Sequence, residues 1–272
     1  MFSSSVQPGL VSLFSSTGSD PLGLFASRTD PSLPSDSFIC LVNDASSQPA
    51  PPPPRTLITA NDSDEDDANV SPNYALDQTV LHIQSPTVKT TYIRCPPKRL
   101  NGPAGVRKDE HLGLKHPWIH LQVRNMGREW AFEVGIADQS GREGIVRCST
   151  FQKRPKLKLT NPPLLLLPLS FPPASSRPLT SWSTISLNLP SLLPHFSSAS
   201  LARADEDETD QPGSPPPLDR RSGGVQVPSG TYSHVSYVKV YATCRLRRIW
   251  FSEGGPQQRL PWEFQLYAAE NE

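Results

Sequence analysis

WIHLQVRNMGREWAFEVGIAD, residues 118–138, alternates apolar and polar side chains twice, with a break between the two runs. Ile119, Leu121 and Val123 stand two apart among polar neighbours; after Asn125 and Gly127, the residues Trp130, Phe132, Val134 and Ile136 resume the alternation. A period of two marks a strand with one buried face, and Asn and Gly supply turn chemistry, so the stretch predicts two strands joined as a hairpin. Asp138, Gln139, Ser140 and Gly141 provide the next turn, and GIVRCSTF (144–151) predicts a third strand.

Working outward, TTYIRC (90–95) suits a strand that two prolines then stop, STISLNL (183–189) places Ile185, Leu187 and Leu189 on one side, and HVSYVKVYATCRLRRIWF (234–251) is a long run dense in Val and Tyr. No stretch of comparable strength has helical period. QPGLVSLFSS (7–16) and SLLPHF (191–196) are expected to add short helical turns, limited by their prolines. Short strands with turn signals between them predict an all-β fold, a single antiparallel β-sandwich or jelly roll. Its core is expected to include Phe132, Val134, Ile136, Leu187, Val240, Leu246 and Phe251.

The chain has 272 residues and a formal net charge of zero, but the charge is unevenly spread. Residues 45–75 join a polyproline run to an acidic cluster, and residues 198–232 repeat that recipe. Together they hold 11 of the 26 acidic residues and four of the 26 basic ones. With so little apolar surface to offset the entropy of ordering, both stretches are expected to be disordered insertions in one domain, 1–272. The remainder is basic by about seven charges, a surplus that favours an acidic partner.

The four cysteines, Cys40, Cys95, Cys148 and Cys244, lie 53 or more residues apart, so none has zinc-knuckle or redox-pair spacing. The N-terminus lacks the pattern of a secretory signal, and a reducing intracellular compartment without disulfides is expected. Cys95 reads as a buried thiol at a strand end, since a reactive thiolate needs a base and electropositive surroundings. Cys244, in phase with Val238, Val240, Ala242 and Leu246, reads as core. His116 and His120 have the spacing of a helical metal site, but Pro117 and the strand after it set them in extended chain. No metal, cofactor or catalytic residue is expected, no membrane span is found, and no enzyme motif occurs.

Two basic clusters are candidate partner sites. Alternation turns Arg245 and Arg247 outward when Cys244 and Leu246 face in, and Arg248 breaks the phase, which predicts a bulge. These arginines suit either an acidic partner or Glu133, Glu143 or Glu253 of the same protein. Lys153, Arg154, Lys156 and Lys158, interrupted by Pro155, read as an exposed loop that is either merely solvated or in contact with a partner.

Six separated blocks resemble, in the same order, the cilia- and flagella-associated protein 20 family: MFSSSVQPGLVSLFSSTGSDPL, TTYIRCP, WAFEVGIADQSGREGIVRCSTFQ, SWSTISLNL, VKVYATCRLRRIWFSE and LPWEFQLY. The two acidic, proline-rich stretches and the long segment 153–179 depart from the short members of that family. The resemblance implies a compact β-sandwich, a non-enzymatic structural protein of the ciliary axoneme that works in the cytoplasm and cytoskeleton. Its implied partners are tubulin of doublet microtubules and other proteins of the inner junction, and its implied role is support of cilium assembly and motility. The resemblance also carries a nuclear, transcription-related alternative in which the acidic partner is nucleic acid.

Overall fold

The computed structural model describes residues 1–2, 6–49, 79–98, 111–172, 181–203 and 226–266. Among these residues, strands form two sheets. The first contains β1 (Leu10–Ser15), β3 (Phe38–Asn43), β4 (Thr79–Gln84), β6 (Trp118–Asn125), β11 (Trp182–Asn188) and β13 (Cys244–Ser252). The second contains β2 (Ala26–Arg28), β5 (Tyr92–Cys95), β7 (Ala131–Asp138), β8 (Glu143–Ser149), β9 (Lys156–Lys158), β10 (Leu164–Pro168) and β12 (Tyr232–Tyr241).

In the first sheet the order is β11-β6-β13-β4-β3, and β1 pairs with the later half of β13 beyond the end of β4. In the second the order is β2-β5-β12-β7-β8-β10-β9. The inward faces meet in a common core. Phe132, Val134, Ile136, Val240, Leu246 and Phe251 are fully buried there, and Leu187 is partly buried against it. The all-β sandwich is therefore the observed fold.

The connections correct the expected hairpin. β6 belongs to the first sheet and β7 to the second, so residues 126–130 arch across the end of the sandwich. Gly127 takes a φ of +73° there, and its amide donates to Asn125 Oδ1 at 3.1 Å. Trp130, fully buried, closes the arch against Phe132 and Phe171. Alternation is blind to this difference, because an inward residue stays inward when the chain crosses the core. The same holds for the run 234–251, which leaves the second sheet as β12 and enters the first as β13. Val238, Val240, Ala242, Cys244 and Leu246 all remain buried through the crossing.

The true hairpin is β7–β8. Gly141 has a φ of +74°, and the buried Asp138 carboxylate accepts from the amides of Ser140 and Arg142 and pairs with the Arg142 side chain at 2.8 Å. The sandwich is also not purely antiparallel, since β10 runs parallel to β8 after the short excursion through β9. Residues 7–16 give a strand rather than helical turns: β13 satisfies the β1 backbone and Leu13 and Phe14 are buried. SLLPHF does lie in a 3₁₀ segment, Pro190–Ser197.

The edges of the two expected insertions are ordered. Ser46 and Ser47 turn on Asn43, and Pro49 bridges Val42. At the other stretch, α1 (Ala199–Arg203) forms, and Ser229 and Gly230 donate to Asp138. Residues 50–75 and 204–225 lie outside the described residues. No helix among the described residues is long and apolar enough to cross a membrane.

Candidate partner-binding surface

Arg245 and Arg247 point outward from the core, as alternation requires, but that outer face is covered. Arg245 is 4 % exposed and pairs with Asp44 Oδ1 at 2.8 Å, while its other amino group donates to Ser47 Oγ at 2.6 Å. Asp44 also takes Arg124 at 3.1 Å and the Trp182 indole N–H at 2.8 Å. Arg247, 5 % exposed, donates to Gln122 Oε1 at 3.1 Å and to the carbonyls of Gln265 and Glu263. Arg248 lies over the Phe264 ring at 4.8 Å, and the register slips between Leu246 and Arg248, which is the predicted bulge. The turn after β3 and the segment 261–266 thus roof this part of the sheet. Arg245 and Arg247 are internal partners and withdraw as a docking site; their acceptors are Asp44 and backbone carbonyls rather than Glu133, Glu143 or Glu253.

The lysine cluster is placed differently from the expected loop. Lys153 and Arg154 are exposed, but Lys156 and Lys158 belong to β9, the edge of the second sheet, with Leu157 turned inward between them. Pro155 stands just before the strand, where a missing amide costs no ladder bond. Lysines on an edge strand discourage pairing with another chain.

The remaining candidates are structural. The thiols of Cys95, Cys148 and Cys244 are buried, and burial pushes those of Cys95 and Cys148 up to about 12. His120 lies between Trp118 and Trp250 and hydrogen-bonds the hydroxyls of Ser186 and Ser252, each at 2.8 Å. Burial lowers it to about 4, which keeps it neutral. His116 Nε2 meets the Pro8 carbonyl at 2.6 Å. The two histidines therefore serve separate contacts.

The outer face of the second sheet presents what sequence reading missed. Cross-strand register lines up Ala26, Arg94, Lys239, Glu133, Arg147, Leu166 and Lys156 in one row, from β2 to β9. At the usual spacing of neighbouring strands, seven strands span about 28 Å. A second row sets Arg28, Tyr92 and Tyr241 side by side. Lys239 Nζ stands 3.6 Å from the Tyr92 ring centroid and 4.3 Å from that of Tyr241; Arg94 covers the Tyr237 ring at 4.5 Å. These are cation–π distances. Gly135 makes room for the arrangement, because a Cβ there would come 2.5 Å from the Tyr237 ring.

Glu133 is the one acidic side chain in the long row, and its acceptors are occupied. Arg147 binds it through Nε at 2.7 Å and through Nη2, and the phenols of Tyr241 and Tyr237 donate at 2.9 and 3.2 Å. Burial and the Glu133 charge both push these two phenols up, so they stay protonated and keep donating. Among the described residues no carboxylate pairs with Arg28, Arg94 or Lys239. Burial, together with the charges of Arg147, Arg94 and Arg28, lowers the Lys239 ammonium to about 8 despite the opposing pull of Glu133. The face is an array of cations, part-desolvated and mounted on aromatic rings, with N–H donors to spare for an incoming anion. Its signal was legible in the alternation of Tyr237, Lys239 and Tyr241 opposite Val238 and Val240, and in Tyr92 and Arg94 of TTYIRC.

Comparison with known proteins places the chain in a family. Residues 62–203, more than half of the chain, match the CFA20 domain. A protein of Chlamydomonas reinhardtii named "Cilia- and flagella-associated protein 20" is 25 % identical over 268 residues, covering 98 % of this chain and 97 % of its own. Proteins of the same name from Caenorhabditis elegans, 24 % identical over 69 % of this chain and 68 % of theirs, and Paramecium tetraurelia, 25 % identical over 71 % and 75 %, are similar too. The chain belongs to the CFA20-domain family.

Proposed function

We propose that this protein is a non-enzymatic structural component of the ciliary or flagellar axoneme that docks on doublet microtubules at the inner junction through the outer face of its second sheet. It would support cilium assembly and motility there beside other junction proteins. The names of its relatives support the ciliary setting. The observation that carries the docking reading is the row of cations centred on Arg94 and Lys239, neither of which forms an ion pair with a carboxylate among the described residues. Tubulin is acidic, and a small sandwich repeated along a lattice can sum modest contacts through avidity. A sheet face on which Arg28, Arg94 and Lys239 form no ion pair with a carboxylate among the described residues fits an external anionic surface better than an internal stabilising role.

The test is localisation of a tagged copy in cells that grow flagella, beside a copy carrying Arg28→Glu and Arg94→Gln. Axonemal signal for the first, lost for the second at equal abundance, is the expected result. Nuclear signal with none at the axoneme would favour nucleic acid as the acidic partner.

A further inference from the structure

Beside the cationic row lies a cavity of about 680 Å³, within the size range of ligand sites. Arg147 belongs to both, and Tyr241 of the neighbouring row also lines the cavity. The cavity's other walls are the 87–90 turn, Ala131, and Phe151 just beyond β8. Val88, Ala131, Phe151 and the Tyr241 ring make the lining largely apolar. Lys89 and Arg147 bring positive charge, and Glu129, exposed at the rim, is the acid in the lining. Phe151 is 42 % exposed, a large ring held open to solvent at the mouth.

We propose that this cavity, together with the Arg94–Lys239–Arg147 row, is a recognition site for an acidic peptide segment that carries an aromatic or branched apolar residue among its carboxylates. This deepens the docking reading above and rests on it for the biological partner. An extended peptide rises about 3.3 Å per residue, so some eight residues would span the row. Carboxylates would meet Arg28, Arg94 and Lys239, which form no ion pair with an acid among the described residues, while the apolar side chain enters between Val88 and Phe151. A smooth charged surface would satisfy the row but leave the cavity empty. Charge steers and orients the segment; the cavity provides selectivity among acidic segments.

Two labelled peptides test this by fluorescence anisotropy with the full chain: a glutamate run with one central phenylalanine, and the same run with glycine in its place. The phenylalanine peptide is expected to bind roughly tenfold tighter or better, from burial of one aromatic side chain. Phe151→Ser should erase that preference while leaving the glycine peptide's weak binding and the melting temperature unchanged. Val88→Ser, at another lining residue, should do the same, and serves if Phe151→Ser perturbs folding. Equal affinity for the two peptides, or a preference that survives both substitutions, overturns the proposal, as does tighter binding of an oligothymidylate than of either peptide. Co-sedimentation with microtubules stripped of their acidic terminal segments separates the two readings. Undiminished binding there, with no peptide preference, would leave lattice docking standing and remove peptide recognition.

Discussion

At the scale of single residues, exposure decides what each arginine does. Asp44 holds Arg245 and Arg124 together with the Trp182 indole inside the protein. Removing one partner of a buried ion pair strands the other's charge, so Asp44→Ala should cost roughly 3–5 kcal/mol in urea unfolding. The Arg94 and Arg28 charges pair with no acid among the described residues, and Arg28→Glu should shift stability by less than about 1 kcal/mol. Lys239 makes a pH prediction. Its neighbours are Arg28 from β2, Tyr92 and Arg94 from β5, Tyr237 and Tyr241 on β12 itself, Glu133 from β7 and Arg147 from β8. Its folded pKa of about 8 lies below its ordinary 10.5, so between these values the unfolded chain binds more protons. The cost of burying the charge is fully present below pH 8 and fades as pH rises toward 10.5. Lys239→Met should therefore gain stability over the parent at pH 7, and the difference should shrink by pH 10; a constant difference would contradict the assignment.

At the scale of elements, side-chain alternation made strand positions legible but not their partners. The period of two in 118–138 marks the buried faces of β6 and β7 correctly, yet it cannot tell a hairpin from an arch, because both keep Val123 and Phe132 inside. The arginines of β13 misled for a related reason. Alternation reports the face of a strand, and only the path of distant segments, here the turn at Asp44–Ser47 and the segment 261–266, reveals whether that face is roofed. The cationic row was harder still, since Arg94 and Lys239, 145 residues apart in sequence, are neighbours only by register. Two substitutions test the elements. Phe132→Ala, in the centre of β7, should cost about 3–5 kcal/mol. Gly135→Val should displace the Tyr237 ring and release Arg94, which would appear as a changed tyrosine fluorescence with β-sheet circular dichroism retained.

At the scale of the whole molecule, the sandwich separates its charges by sheet. The outer face of the first sheet spends its arginines on internal carbonyls and Asp44, whereas on the outer face of the second Arg28, Arg94 and Lys239 pair with no acid among the described residues. We propose that this second face docks on microtubules. Its most direct test is co-sedimentation of the purified chain with microtubules, comparing the parent with Arg28→Glu/Arg94→Gln and with a control, Arg259→Glu, at an exposed site beyond β13. All three proteins should melt alike, the control should pellet with the parent, and the double variant should lose at least about tenfold in affinity, the equivalent of 1.4 kcal/mol. Equal pelleting of the double variant and the parent, at matched salt and stability, would contradict the account.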